Sequence, residues 1–256
     1  MTELAAADLA ALLWPAFLLF LRIGAAAFLM PAIGERSVPV RVRLGAAAAF
    51  TMLLLPVLAE ELPPLPGFPG ALAAGGAEVL TGLLFGLMLR LFVMGLQVAG
   101  TIAAQATSIS QIFGGGPSVE PQPALGNVLM VGGLALAAIL DLHLRLVAFL
   151  VETYRLVPPG SLPAPALVAE AGLAVVARIF ALAFTLAAPF VIASVVYNLT
   201  LGIINRAMPQ LMVAFVGAPA ITAGALILLM VAGPHMLSVW VAALNGFLAD
   251  PGGLGS

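Results

Sequence analysis

The sequence predicts an all-α, polytopic membrane protein of about six long helices, partly broken and forming hairpins. Of its 256 residues, 63% are hydrophobic and 8% are charged, and the mean hydropathy is +1.20. Soluble domains are nearer ~25% charged, so this chain has too little polar surface for a water-soluble fold. Glu3 and Asp8 stand where a signal peptide would carry basic residues. We therefore expect the first apolar stretch to remain in a single membrane domain over residues 1–256.

Apolar stretches of membrane-spanning length recur along the whole chain. They cover residues of about 10–33, 42–59, 71–107, 124–150, 168–205 and 211–248. A helix needs ~20 apolar residues to cross the ~30 Å hydrocarbon core of a bilayer, and the third, fifth and sixth stretches exceed that length. We expect these three to be tilted, kinked at Pro189 or Pro234, or broken into hairpins.

The connectors between the stretches carry most of the charge. Residues 33–43 hold three arginines and one glutamate, the densest charge in the chain, whereas residues 60–70 are acidic and rich in proline. Short basic loops remain on the cytoplasmic side of a membrane. We therefore expect residues 33–43 to face the cytoplasm, with residues 60–70 and the N-terminus on the opposite side.

The composition excludes several classes of chemistry. All nine basic residues are arginine, so the chain lacks the lysine of a phosphate-binding loop or a Schiff base. It has no cysteine and only two histidines, which are far apart in sequence, so no metal site is predicted. A net charge of −2 argues against a nucleic-acid partner. No ordered catalytic set occurs, and we expect neither enzymatic activity nor a cofactor.

Several polar side chains fall inside the apolar stretches. They are Arg22, Glu78, Arg90, Gln97 and Arg178. A charge at bilayer depth costs several kcal/mol without a partner or a wet cavity, so each charged residue needs one. For Glu78 two interpretations are open: a helix start, where a carboxylate meets the positive end of the dipole, or a contact with a basic group of a partner subunit.

Gly82 and Gly86 form a G-x-x-x-G pattern on the same apolar stretch as Glu78. Glycines spaced by four residues lie on one helix face and allow another helix to approach closely. We expect tight helix packing at this face, and the pattern alone does not say whether the second helix belongs to the same chain.

Asp141, His143 and Arg145 alternate in the segment "ILDLHLRLV". A proton relay would need them on one face, but residues two apart on a helix point in nearly opposite directions. Asp141 and Arg145 are spaced for an i, i+4 ion pair. We expect a salt-bridged helix end at a membrane interface.

The segment "SISQIFGGGPSVEPQPALG", residues 108–126, interrupts the apolar pattern at mid-chain. Its glycines allow changes of backbone angle, and its prolines oppose helix formation. Non-helical backbone at membrane depth is tolerated only inside protein or beside a wet cavity. Two interpretations follow from the residues: a flexible surface loop between two helices, or the broken-helix substrate site of a small secondary transporter.

Three ordered stretches together resemble the FliR family, the polytopic subunit of the flagellar type III export gate. The first is "FLRIGAAAFLMPAIGERSVPVRVRLGAAAAF", residues 20–50, with its Arg-x-Gly and Met-Pro. The second, residues 78–122, runs from "EVLTGLLFG" through Gln-x-x-Gly to the Gly-rich loop. The third, residues 201–229, contains Asn-Arg-x-x-Pro-Gln and a following Gly-x-Pro. The chain departs from the family at Glu120–Pro121, where the family commonly has Asp-Pro.

The resemblance implies a place in the flagellar basal body at the bacterial inner membrane. The partners it implies are FliP-like and FliQ-like gate subunits, other flagellar export membrane proteins, membrane lipid and unfolded flagellar proteins as substrates. Apolar helices of such a subunit depend on partner subunits for packing, which would account for the overlong stretches. An injectisome gate subunit is the alternative within the same framework.

The resemblance also implies two groups of functional residues. The central loop, at about residues 108–123, looks like the family's pore plug, formed by Ile112, Phe113, Gly114, Gly115, Gly116, Pro117, Glu120 and Pro121. Residues expected in partner packing or buried polar contacts are Arg22, Glu78, Gly82, Gly86, Arg90, Gln97, Asn205, Arg206, Pro209 and Gln210.

Overall fold

The computed structural model describes residues 2–112, 124–208 and 213–252. These residues form seven α-helices: α1 (Thr2–Ala27), α2 (Val40–Leu58), α3 (Phe68–Ile112), α4 (Ala124–Ile139), α5 (Leu142–Leu156), α6 (Pro165–Ala207) and α7 (Val213–Ala249). A short 3-10 helix, Ala59–Glu61, follows α2. No strand occurs in the described parts of the chain, and the predicted all-α class is confirmed.

Proline marks where several helices begin. Pro39 precedes α2, Pro69 lies in the first turn of α3, and Pro165 is the first residue of α6. A proline fits the first turn of a helix because its missing N–H would be unpaired there. Within α6 and α7, by contrast, Pro189 and Pro234 are accommodated in continuous helix.

The helix breaks differ from the expected ones. The three overlong apolar stretches are each a continuous helix, of 45, 43 and 37 residues, and none is folded into a hairpin within itself. The break falls instead at residues 140–141, inside the stretch expected to be one helix over 124–150. Asp141 adopts a left-handed backbone conformation there, with φ of 60°, which ends the helical path.

Within the described residues, four helical segments are long and apolar enough to cross a membrane. They are Val40–Glu61, Phe68–Thr107, Val168–Ala207 and Ala220–Ala249. A fifth is added if Leu125–Ile139 and Leu142–Leu156 together make one broken span. The predicted polytopic membrane character is therefore confirmed by length and composition.

The chain divides into two compact units, the first comprising Met1–Leu91, Ala138–Val176 and Leu244–Ser256. Within it, α1 packs against α2, and α2 packs against α5. Phe149 lies at the centre of an aromatic cluster, with ring centroids 5.9 Å from Phe85 and 5.8 Å from Phe247. This unit contains a buried ion pair, described below.

The second unit comprises Phe92–Ala137 and Ala177–Ala243. Trp240 is fully buried in it, and its indole N–H donates to the Phe92 carbonyl at 2.8 Å. Helices α3 and α4 approach backbone to backbone at Gly100, where a Cβ atom would overlap Gly126. Glycine is therefore required at this crossing, since any side chain would force the two helices apart.

Candidate functional site

Arg22 of α1 and Glu78 of α3 form a buried ion pair in the first unit. The Arg22 Nε–Glu78 Oε2 distance is 2.7 Å, and the Arg22 Nη2–Glu78 Oε1 distance is 3.0 Å. The side chains are 1% and 0% exposed. A bidentate geometry of this kind gives a strong, directional interaction. Two charges that the sequence placed at membrane depth thus neutralise each other within the chain.

Both members of the pair also form hydrogen bonds with backbone groups at the end of α5 and in the turn after it. Arg22 Nη1 donates to the carbonyls of Thr153 at 3.0 Å and Val157 at 2.9 Å. The Thr153 carbonyl also accepts the Val157 N–H at 3.0 Å, and a cation near the C-terminal end of a helix complements the helix dipole. Glu78 Oε1 accepts the Gly160 N–H at 2.7 Å. One ion pair therefore joins α1, α3 and α5.

Gly160 and Tyr154 complete this arrangement, which we call the Arg22–Glu78 node. Gly160 has φ of +73°, a conformation that favours glycine, and it turns its N–H toward Glu78. The Arg22 guanidinium carbon lies 4.0 Å from the centroid of the Tyr154 ring. A desolvated cation–π contact of this type adds further stabilisation.

Gly82 and Gly86 lie on the same face of α3 as Glu78 and face α1. A Cβ atom on Gly82 would overlap the Arg22 carbonyl oxygen and lie 2.9 Å from the Ala25 Cβ. A Cβ atom on Gly86 would lie 2.9 Å from the Ala26 carbonyl oxygen. Close approach of α1 and α3 at these glycines brings the backbones together beside the ion pair.

A second ion pair connects α3 to the basic connector over residues 33–43. Arg90 Nη1 lies 2.6 Å from Glu35 Oε1, and both side chains are partly buried. Arg43 Nη2 donates to the Glu35 carbonyl at 2.6 Å. The only acidic residue of this connector is thus held by an arginine of α3.

The second unit has polar contacts of its own. The Gln97 amide donates to the Met130 sulfur at 3.0 Å, and the Tyr197 hydroxyl donates to the Gly217 carbonyl at 2.6 Å. Beside Tyr197, α6 and α7 border a largely apolar recess of about 330 Å³ that includes Thr107 and Ser194. None of the described residues that line it is charged.

The structure corrects both interpretations of Glu78. The helix-start interpretation is wrong, because α3 begins at Phe68 and Glu78 lies in its interior. The basic group that Glu78 contacts is Arg22 of the same chain, in place of a residue on a partner subunit. The sequence separation of 56 residues explains why pattern alone did not suggest this pair.

The predicted ion pair between Asp141 and Arg145 is also wrong. Both residues lie at the N-terminal end of α5, as expected, but no ion pair joins them in the described part of the chain. Arg145 Nε instead lies 3.4 Å from the Leu140 carbonyl. The left-handed conformation of Asp141 removes it from the helical register that an i, i+4 pair requires.

The other residues singled out from the sequence have varied positions. Asn205 and Arg206 are exposed at the end of α6, and Ile112 is the last residue of α3. Phe113, Gly114, Gly115, Gly116, Pro117, Glu120, Pro121, Pro209 and Gln210 lie outside the described residues. All the predicted plug residues except Ile112 are therefore outside the described part of the chain.

No group of three or more His, Cys, Asp or Glu side chains that could hold a metal occurs within residues 2–112, 124–208 and 213–252. Sequence reasoning missed Thr153, Val157 and Gly160, which enter the node through backbone atoms. Backbone contacts leave no side-chain signature, although "VPPG" at 157–160 does mark a turn.

These features define an all-helical, polytopic membrane protein with internally paired charges. The family model of the bacterial export proteins, family 1, matches residues 13–247. The chain therefore belongs to this family, and the resemblance to the FliR family is confirmed.

Relatives similar to the chain include three proteins named flagellar biosynthetic protein FliR. The protein from Caulobacter vibrioides is 35% identical over 229 residues, which cover 88% of this chain and 90% of the relative. The Escherichia coli protein is 31% identical over 80% of this chain and 77% of its own length. The Bacillus subtilis protein is 27% identical over 92% of this chain and 91% of its own length.

Proposed function

We propose that this protein is a non-enzymatic membrane subunit of the flagellar type III protein export gate. In this proposal it lies in the bacterial inner membrane within the flagellar basal body. With FliP-like and FliQ-like subunits it forms the conduit through which unfolded flagellar proteins leave the cytoplasm.

The observation that carries this proposal is membership of the bacterial export family over nearly the whole chain. The flagellar assignment is supported by relatives whose names are flagellar, including one at 35% identity. It is favoured over an injectisome subunit for that reason.

Helix length supports assembly with other subunits. At 1.5 Å per residue, the 40-residue span Val168–Ala207 is about 60 Å long, twice the ~30 Å hydrocarbon core of a bilayer. In the most apolar part of this span, only 33% of the helix is buried against the rest of the chain. Lipid alone cannot cover a helix of this length, and neighbouring subunits supply the remaining apolar surface.

Residues 108–112, expected in the central loop, are the last residues of α3, and in this proposal the segment that follows, residues 113–123, acts with Ile112 as the plug of the conduit. Its three consecutive glycines and three prolines favour an irregular backbone that can rearrange when a substrate enters. Ile112 and Phe113 would supply an apolar seal, and Glu120 would lie in water or at a pore-facing polar ring. The loop keeps the gate closed to ions when no substrate is present.

Deletion of the gene tests the proposal directly. In the deletion strain, hook and filament proteins should be absent from the culture medium and swimming should be lost, and the intact gene should restore both. Normal secretion and swimming in the deletion strain would remove the flagellar assignment.

A secondary transporter is the competing class, and co-purification separates it from a gate subunit. The tagged protein, extracted from membranes in mild detergent, should retain FliP-like and FliQ-like subunits at fixed ratios. A transporter would purify and transport a small solute without them.

A further inference from the structure

The candidate span Val40–Glu61 differs from the other three spans of the described residues in length and exposure. It has 22 residues, whereas the others have 40, 40 and 30. At 1.5 Å per residue it is about 33 Å long, close to the ~30 Å hydrocarbon core of a bilayer. It is also the least buried of the four spans, at 22% in its most apolar part. This span therefore has a length that lipid alone can cover.

One side of α2 packs against the first unit, and another side is exposed. The buried side has residues spaced by three or four: Ala47, Thr51, Leu54 and Leu58. The exposed side starts at Arg41 and continues with the same spacing through Gly45, Ala48, Met52 and Pro56. Residues at this spacing lie on one face of a helix. After Arg41, the exposed face has no polar side chain until α2 ends.

Charged residues mark both ends of this exposed face. Arg41 lies at its start, and Glu60 and Glu61 are exposed in the 3-10 helix that follows α2. Arg41 and Glu60 are about 28 Å apart along the helix axis, which again approaches the ~30 Å of the hydrocarbon core. A contact with protein sets no such distance between charges, whereas a bilayer places its headgroups at this separation.

The basic end of the span carries positive charge that the chain does not neutralise. The Glu35 carboxylate is paired with Arg90 at 2.6 Å. Arg36 and Arg41 are both exposed, and neither forms an ion pair or a side-chain hydrogen bond with any residue in 2–112, 124–208 and 213–252. Guanidinium groups bind phosphate oxygens in a bidentate manner. Two such groups are available at the end of a span of bilayer length.

We propose that the exposed face of α2 contacts lipid, and that Arg36 and Arg41 bind the phosphate groups of anionic phospholipids at its start. The acidic residues at the other end lie at the opposite headgroup layer. The two arginines thereby set the depth of α2 in the membrane and select anionic lipid around it. This inference goes beyond the proposed function and does not depend on it, so normal export in the gene-deletion strain would leave it standing.

A fluorophore placed beside the two arginines tests the contact. The chain has no cysteine, so S37C provides a single attachment point next to Arg36. The tagged S37C chain is purified with the subunits that remain bound, labelled, and reconstituted into phosphatidylcholine vesicles. These vesicles contain a minor share of brominated phosphatidylglycerol or of brominated phosphatidylcholine, and bromine quenches a fluorophore that it approaches. The parent chain, treated in parallel, reports any label on bound subunits.

We expect both brominated lipids to quench the label, with the apparent affinity for phosphatidylglycerol higher by at least about tenfold. Each basic residue near an anionic surface contributes about fivefold in affinity. In the S37C background, R36Q and R41Q should therefore each lower this preference about fivefold, and R36Q/R41Q should abolish it. R36K/R41K keeps the charges and should retain most of it.

The matched control is R155Q. Arg155 is exposed, but it is paired with Glu152 at 3.1 Å, and it lies at the C-terminal end of α5. R155Q changes the charge of the chain by the same amount as R36Q does. It should leave the lipid preference at the S37C label unchanged.

Three results would overturn the proposal. Absence of quenching by either lipid would show that another protein subunit covers the start of α2. Equal quenching by the two lipids in the parent S37C chain would show that the arginines do not select anionic lipid. An equal loss of preference in R155Q and R36Q would assign the effect to net charge. If R36Q/R41Q does not accumulate in membranes, the two single variants decide, and a preference unchanged in both contradicts the site.

Discussion

The carbonyl oxygen of Arg22 occupies the space that a Cβ atom on Gly82 would need. The same arginine places its side chain on Glu78, one turn earlier on α3. Backbone packing and ion pairing thus coincide at a single crossing of α1 and α3. The close approach allowed by glycine helps to bring the two charged groups within bonding distance.

Replacing Gly82 with alanine should therefore destabilise the protein. The added methyl group must displace α1, and overpacking of this kind typically costs about 1–3 kcal/mol. Gly76 on the same helix is the control, because a Cβ atom there would meet nothing within 4 Å. We expect G76A to be neutral or slightly stabilising, since alanine is the better helix former. Thermal unfolding of the purified proteins in detergent measures both, and equal melting temperatures would contradict the close contact.

The stability lost by removing one member of the buried pair should be largely recovered when the other member is removed as well. The R22M variant leaves the Glu78 carboxylate buried without its cation, a change that typically costs about 3–5 kcal/mol. The double variant R22M/E78L removes both charges and should lose less than the sum of the single variants. A double-mutant cycle on thermal stability measures this coupling. Additive losses would show that the two side chains do not act together.

Two variants of Tyr154 distinguish the contribution of its ring to stability from that of its hydroxyl. The ring lies 4.0 Å from the Arg22 guanidinium, whereas the hydroxyl has no hydrogen-bond partner among the described residues. We expect Y154F to be close to wild type and Y154A to lose about 3–5 kcal/mol through the cavity and the lost contact. A loss in Y154F as large as that in Y154A would assign the stabilisation to the hydroxyl instead.

Deleting residues 110–119 should open the gate if the central loop is a plug. We expect a greater ion current across planar bilayers containing the assembled export complex, together with altered export of hook protein. The S118A variant, which keeps the loop intact, serves as the control. Unchanged current and unchanged export in the deletion variant would contradict the plug.

The sequence predicted the fold class well because membrane composition restricts the possible structures so strongly. In lipid, backbone N–H and C=O groups must form their hydrogen bonds within the protein. Long apolar stretches therefore predict helices. Helix ends were harder to locate. Residues 140–141 lie inside the stretch over 124–150 that was expected to be apolar throughout, and the break there depends on the backbone angle of Asp141.

The candidate site was predicted only in part. Because a charge in hydrocarbon is energetically costly, the sequence indicated that four charges within the apolar stretches need partners. They are Arg22, Glu78, Arg90 and Arg178. Which residues become partners depends on how helices distant in sequence cross, and this is not encoded in local spacing. The contacts to backbone atoms of α5 were missed for the same reason.

The measurement that tests the account most directly is the appearance of hook protein in the medium after the gene is induced in a deletion strain. Before induction no hook protein should be exported, and export should begin once this protein is made and assembled. The same strain should begin to swim afterwards. Export at the full rate before induction would contradict a role for this protein in the flagellar export gate.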